Sequence, residues 1–492
     1  MSLILPESPP ASADTGEAVR CGVTPAEIDA SCRLPLVWLF LSGALWLVIG
    51  SALALVASIK FHAPDFLADP GWLTYGRVRP ASVNSMLYGF CLQTGLGVVL
   101  WMVARLGQTA LVRPGLITVG AGCWNLGVTA GVLGILAGGS TGYENLEMPP
   151  YAASLLFLGC LMVGIGGVLT FHRRRERQLY VSQWFILAAL FWFPWVYATA
   201  NLLLAGTGAR GMAQAVIAWW YSENLLAVWL GLVGLAAALY FVPKLVNREL
   251  HSRYLALLAF WILILFGSWG GIPASAPVPA WMPVASAVTR VLGVIAVIAV
   301  LLNVHRTVRG KCSTLRGHPS WWFIGFGTAA FAVAGLAKAA TAFRAVSRVT
   351  QFTWFTPAWD LLNAYGYFTM VMFGAAYYIV PQLVGREFPP GKLVRVHFWT
   401  AGAGILCFVV PLAAGGIVQG LKLQQAVIPF ADVTRGTLPF LRASTMGDLL
   451  MALGHLLFLA NLALLAFRFY RARAVSAWAE ATAEIPAAGV RV

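Results

Sequence analysis

Charge is scarce in this chain: 10% of its 492 residues are Asp, Glu, Lys or Arg, against roughly 25% in an ordinary soluble domain. Water is therefore not the solvent for most of it. The seven cysteines, at positions 21, 32, 91, 123, 160, 312 and 407, fall singly, with no C-x-x-C and no C-x-x-C-H. That spacing argues against zinc, iron–sulfur clusters and covalently attached c-type heme, and leaves the thiols as small apolar filler. There is no Gly-rich phosphate loop in a strand–helix setting, no G-x-S-x-G and no short-period repeat. Soluble-enzyme and solenoid readings thus find no foothold. Residues 1–33 lack an early basic segment and apolar core of the kind a cleavable signal peptide carries, and read as a flexible cytoplasmic leader.

What is abundant is apolar sequence, 59% of the chain. Runs of about twenty apolar residues, each long enough to cross ~30 Å of hydrocarbon as a helix, recur from end to end. They predict an all-α, polytopic membrane bundle of about twelve helices over residues 34–470, at 34–58, 81–104, 115–137, 152–171, 181–204, 213–242, 255–272, 284–304, 320–340, 357–381, 396–420 and 445–467. Residues 471–492, rich in Ala and Glu, read as a cytoplasmic tail.

The net charge of +15 does not point to nucleic acid, because the basic residues sit in short clusters between apolar runs. Of the 33 Lys and Arg, 22 fall on the side that holds both termini and 10 on the other, Lys338 counted with the loop after the ninth helix and Arg290 left inside a span. By the positive-inside tendency both termini are cytoplasmic, with Arg173, Arg174, Arg175 and Arg177 as a topology anchor. A bacterial-type inner membrane and membrane lipid are the expected surroundings.

Several segments resemble one family. Tyr75-Gly76-Arg77-Val78-Arg79-Pro80-Ala81-Ser82-Val83-Asn84 is similar to a stretch of the catalytic subunit of cbb-type oxidases that reads Gly-Arg-Leu-Arg-Pro and, one residue on, His-Thr-Asn. Gly142 to Pro149 looks like that family's acidic loop. Trp219-Trp220-Tyr221-Ser222-Glu223-Asn224 is similar to its Trp-Trp-Tyr-Gly-His-Asn. Tyr240 to Lys244, Gly374 to Pro381, His397 to Trp399 and Gly415 to Gly420 follow in family order between about residues 75 and 445. The chain is identified on this resemblance as a divergent member of heme-copper oxidase subunit I, related to the large subunit of nitric oxide reductase.

The resemblance implies six histidines that hold two hemes and a copper, since imidazole suits both metals. Carried over, the heme-ligand positions fall at Ser82, Trp359 and Leu361, and the copper-ligand positions at Glu223, Pro273 and Ala274; residues 284–304 also lack the tyrosine of the family's eighth helix. Of the seven histidines present, His62, His172, His251, His305 and His318 sit in loops or at helix ends. His397 is expected to be structural, and His455, deep in a span, to be hydrogen-bonded to a neighbouring helix.

What remains is a candidate polar pocket of Glu223, Arg290 and Asp360, ionisable groups that cost a few kcal/mol in a span unless paired or hydrated. They are expected to form a carboxylate pair or an ion pair with Arg290, with Trp359, Tyr365 and Tyr367 refilling the heme volume; a proton or ion path is the alternative. Arg77 and Arg79 are expected to pair with Glu144 and Glu147 or with lipid. The functional expectation is a non-catalytic, ligand-less scaffold subunit of a respiratory complex, without cofactor, beside membrane-bound or c-type cytochrome subunits. The alternatives are an active oxidase or nitric-oxide-reductase-like enzyme with heme b, copper and unusual ligands, or a proton or ion conductor.

Overall fold

A computed structural model describes residues 23–206, 208–388 and 391–483. Eleven helices in it are long and apolar enough to cross a membrane. Numbered in chain order with one shorter helix included, they are α1 Pro25–Lys60, α2 Tyr75–Leu106, α3 Pro114–Ala137, α4 Pro150–His172, α5 Val181–Gly206, α6 Met212–Val246, α7 Arg253–Trp269, α8 Trp281–Val308, α9 Pro319–Ala340, α10 Phe355–Val384, α11 Lys392–Leu423 and α12 Phe430–Ala483. No strand occurs among the described residues.

The short α7 still belongs to the transmembrane set, because its partner α8 fixes its course. At one end Ser252 N donates to Asn303 Oδ1 (3.0 Å) and Asn303 Nδ2 to Ser252 O (2.8 Å); at the other, Arg290 Nε donates to Gly270 O (2.7 Å). Thirteen residues of α8 separate those anchors, about 20 Å at the helical rise. The chain between Ser252 and Gly270 runs antiparallel to α8 over that thickness.

Two boundaries differ from the sequence expectation. Residues 25–33, assigned to a flexible leader, are the first turns of α1, because Thr24 and Glu27 close a reciprocal cap: Glu27 N donates to Thr24 Oγ1 (3.3 Å) and Thr24 N to Glu27 Oε2 (2.8 Å). Likewise α12 begins at Phe430 and carries on through residues assigned to the tail, as far as Ala483. The remaining leader and tail, 1–22 and 484–492, lie outside the described residues.

The bundle has an inner and an outer set. The apolar windows of α2, α6 and α10 are 100, 89 and 83% buried inside the protein, whereas those of the other long helices are 28–50% buried. This explains why the inner three are hydrophobic all round and the rest present one face to lipid. Around them α1 is tied down by polar contacts: Asp29 accepts from Trp101 Nε1 (3.0 Å) and from Arg105 Nη2 (2.7 Å), and Arg33 Nε donates to Leu383 O (2.6 Å).

Candidate functional site

The inner helices share a local feature at the positions where the resemblance places metal ligands. Each turns from α to π geometry: Ser85–Leu92 in α2, Asn224–Trp229 in α6 and Leu362–Thr369 in α10. Ser82, Glu223 and Leu361 stand within three residues before those stretches. A π turn rotates the following side chains relative to a regular helix and commonly sits at functional positions. Side chains of the stretches lock the helices together. Asn224 Oδ1 accepts from Trp192 Nε1 and Ser268 Oγ (both 2.9 Å), Asn363 Nδ2 donates to Leu226 O (2.6 Å) and Tyr367 Oη to Gly231 O (3.1 Å).

Between α6, α7, α8, α9 and α10 lies a cavity of about 670 Å³ lined by Glu223, Arg290, Lys338 and Asp360, and by Pro273, Ala274 and Trp359. The three copper-ligand positions and one heme-ligand position thus all belong to the wall of this one cavity. The loop after α7 is pressed onto that wall: a Cβ on Gly271 would come within 2.7 Å of the Trp219 carbonyl oxygen, so only glycine fits.

Sequence reasoning missed the partner of Glu223. Lys338 Nζ donates to both carboxylate oxygens, at 2.5 and 2.6 Å. Its position two residues from the end of α9 made it look like a loop residue. The expected Arg290 ion pair does not form among the described residues. Arg290 spends its donors on the backbone, to Gly270 O (2.7 Å) and Ile272 O (3.3 Å), and at 3.5 Å on Thr341 Oγ1. Glu223 and Asp360 both line the cavity, and the fields of Arg290 and Lys338 reach Asp360.

The three aromatics expected to refill the heme volume are placed differently. Tyr365 and Tyr367 are buried; Tyr365 stacks on His455 (5.6 Å, 18°). Trp359 instead lies flat against Phe355 (5.9 Å, 9°) and is half-buried on the cavity wall. The indole gains a stacking partner there and leaves the volume open.

Toward α2, the Ser82 hydroxyl donates to Arg79 O (2.8 Å) and Leu361 is buried. His455 Nδ1 meets Ser51 Oγ at 2.5 Å, on α1, the helix-to-helix bond expected of it. His397 is buried with Nδ1 2.8 Å from the Tyr377 hydroxyl, which also accepts from Asn461 Nδ2 (2.9 Å). His172, His251, His305 and His318 are exposed and His62 half-buried, its Nε2 3.2 Å from Thr445 Oγ1.

The loop before α4 corrects a second pairing. Among the described residues no ion pair joins Arg77 or Arg79 to Glu144 or Glu147. Arg77 Nη1 donates to Leu136 O (3.2 Å), and the field of Arg79 reaches Asp448. Glu147 turns inward and accepts from Asn84 Nδ2 (2.7 Å). Burial, only partly offset by that hydrogen bond, pushes its carboxyl up to about 7. Glu144 keeps a side chain on the cavity rim while its carbonyl accepts from Ser222 Oγ (3.1 Å).

Comparison with known proteins accords with this architecture. The family described as Cytochrome C and Quinol oxidase polypeptide I matches residues 35–450. The chain is similar to the Cbb3-type cytochrome c oxidase subunit CcoN1 of Stutzerimonas stutzeri, 25% identical over 439 residues that cover 87% of this chain and 92% of the relative. It is also similar to the Cytochrome c oxidase subunit 1 homolog of Agrobacterium tumefaciens (strain T37), 25% identical with 85% of this chain and 80% of the relative covered. A third relative is Cytochrome c oxidase subunit 1 of Rhodobacter capsulatus, 26% identical, with 85 and 82% covered. With eleven long apolar helices and a match over most of its length, the chain is a multi-pass membrane protein that belongs to the heme-copper oxidase subunit I family.

Proposed function

We propose that this chain is a non-catalytic member of its family, a membrane scaffold subunit of a respiratory, cytochrome-containing complex whose redox centres lie on other chains. The observation that carries the reading is the two-pronged Lys338–Glu223 contact at the place of the first copper ligand. A carboxylate with both oxygens on an ammonium group is an occupied acceptor, and metal binding there would have to break that pair.

The other positions do not suit heme or copper either. Neither Leu361 nor Trp359 offers a lone pair for iron, Pro273 and Ala274 none for copper, and the Ser82 hydroxyl is turned to its own helix. Heme iron is held by His, Cys, Met or Tyr side chains in the known ligand sets. His455 and His397 each have one ring nitrogen engaged with a neighbour, and aromatic rings pack around them, stacked on His455 and tilted against His397. Among the described residues no three of His, Cys, Asp and Glu gather in metal-binding geometry.

The cavity favours one further reading, a proton or ion path, because five ionisable groups line it, Glu144, Glu223, Arg290, Lys338 and Asp360. Its inner end weighs against conduction. Phe331, which lines the cavity, packs on Tyr367 (4.9 Å), itself 1% exposed. We place the chain in a bacterial-type inner membrane with both termini cytoplasmic, on the distribution of its basic residues.

Elemental analysis of the purified chain tests the reading. Iron and copper well below one atom per chain are expected, with cytochrome subunits co-purifying under mild detergent. Stoichiometric iron in the isolated chain, or a stable monomer that never carries a partner, would defeat it.

A further inference from the structure

The cavity beside Glu223 has a polar neck and an apolar floor. Lys338 and Asp360 lie within two turns of the ends of α9 and α10 that meet at the loop face, whereas Phe331, seven residues before Lys338 on α9, sits about 10 Å deeper than that lysine at the helical rise. Leu263, Val297 and Leu226 line that depth. The volume, about 670 Å³, falls in the range of pockets that enclose a drug-sized molecule, roughly 300–1,000 Å³.

The charges in the neck select what can enter. Glu223 and Lys338 satisfy each other; inside the rim where Glu144 stands, this leaves Asp360 and Arg290, three of whose five N–H bonds are engaged. Arg290 has no carboxylate partner among the described residues, and Asp360 accepts no hydrogen bond there. An anionic head would face Asp360 and Glu144, and a cationic head would face Arg290. An uncharged hydroxyl meets no like charge: it donates its proton to the Asp360 carboxylate and accepts from the guanidinium. Its apolar body fills the floor, where polar matter would lose its hydrogen bonds.

We propose that this cavity binds a neutral amphiphile, a molecule with one uncharged hydroxyl-bearing head held between Arg290 and Asp360 and one apolar chain reaching Phe331. The proposal rests on the reading that no heme or copper occupies this place. The neck is shaped for binding; no reaction is implied.

The test uses the full chain in phosphatidylcholine nanodiscs with a monoacylglycerol that carries a diazirine in its acyl chain. After photolysis, mass spectrometry should find label on peptides holding Leu226, Leu263 and Phe331, and unlabelled monoacylglycerol should compete it away. Gly293→Leu supplies a block, since Gly293 lines the cavity and a Cβ there meets nothing within 4 Å; label should fall at least fivefold with thermal stability unchanged. Competition in the parent protein decides the matter if that variant is unstable. Diazirine analogues with a carboxylate or an amine head should label these peptides several-fold less. Equal labelling by a charged head overturns the head-group assignment, and label spread evenly over lipid-facing helices, without competition, overturns the site. A reduced-minus-oxidised spectrum of the same sample separates the two failures: heme bands would sink the underlying reading, while missing label in a heme-free sample sinks this inference alone.

Discussion

At the scale of single residues, the account turns on charges that have left water. Lys338 and Glu223 are 31 and 10% exposed in their side chains, facing a cavity inside the bundle. Removing one partner leaves the other uncompensated, so Lys338→Met should destabilise by about 3 kcal/mol. The double variant with Glu223→Gln should recover most of that loss, as a double-mutant cycle in detergent will read. Glu147 makes a pH prediction. Its ordinary value of 4.5 is pushed up to about 7 in the fold, so between those values the folded chain holds a proton that the unfolded chain has released. Stability from this group is complete below about pH 4.5 and declines as pH rises to about 7, a loss of about 3 kcal/mol. Glu147→Gln keeps an acceptor for Asn84 and should flatten the melting temperature between pH 5 and 8, raising it at the alkaline end. An unchanged pH profile in that variant would contradict the assignment.

Why some of these residues were legible in the sequence and others were not has a physical basis. Glu223 and Asp360 stood out because a charge inside a twenty-residue apolar run is costly and so announces itself. Lys338 hid near a helix end, where a basic residue is ordinary. Arg290 was visible but its partners were not, because backbone carbonyls of the loop at Gly270 and Ile272 carry no mark in a sequence. Glu147 was assigned to arginine by charge alone, and only the inward course of the loop shows that it meets Asn84 instead.

At the scale of elements, the twelve apolar helices were readable from run length, and their interiors fall where hydropathy placed them. The ends were not, since α1 begins earlier through a cap made by two polar residues and α12 continues well beyond its apolar stretch at both ends. The π stretches of α2, α6 and α10 leave no periodic signal and were invisible. Their role in joining helices gives a prediction: Tyr367→Phe, which removes the bond from α10 to Gly231 of α6, should cost about 1 kcal/mol without changing the fold. The approach of α11 to the loop helix Arg344–Thr350 is tighter still, because Gly420 packs directly on the Val349 carbonyl. Gly420→Ala forces two backbones apart and should lower the melting temperature markedly more than Gly122→Ala, a helix-interior position with open space around it. Equal effects of the two substitutions would show that the close approach is not required.

At the scale of the whole molecule, the bundle keeps the family's frame and puts side-chain pairs where the resemblance implies metal ligands. An ion pair, a stack of Trp359 on Phe355 and a Tyr365–His455 stack stand around that frame, and a cavity remains that they do not fill. The central claim, that the chain carries no heme of its own, is tested most directly by a reduced-minus-oxidised difference spectrum of the chain expressed and purified without other subunits. The account predicts a flat spectrum across the Soret and α-band regions. Heme bands at one heme or more per chain would contradict it.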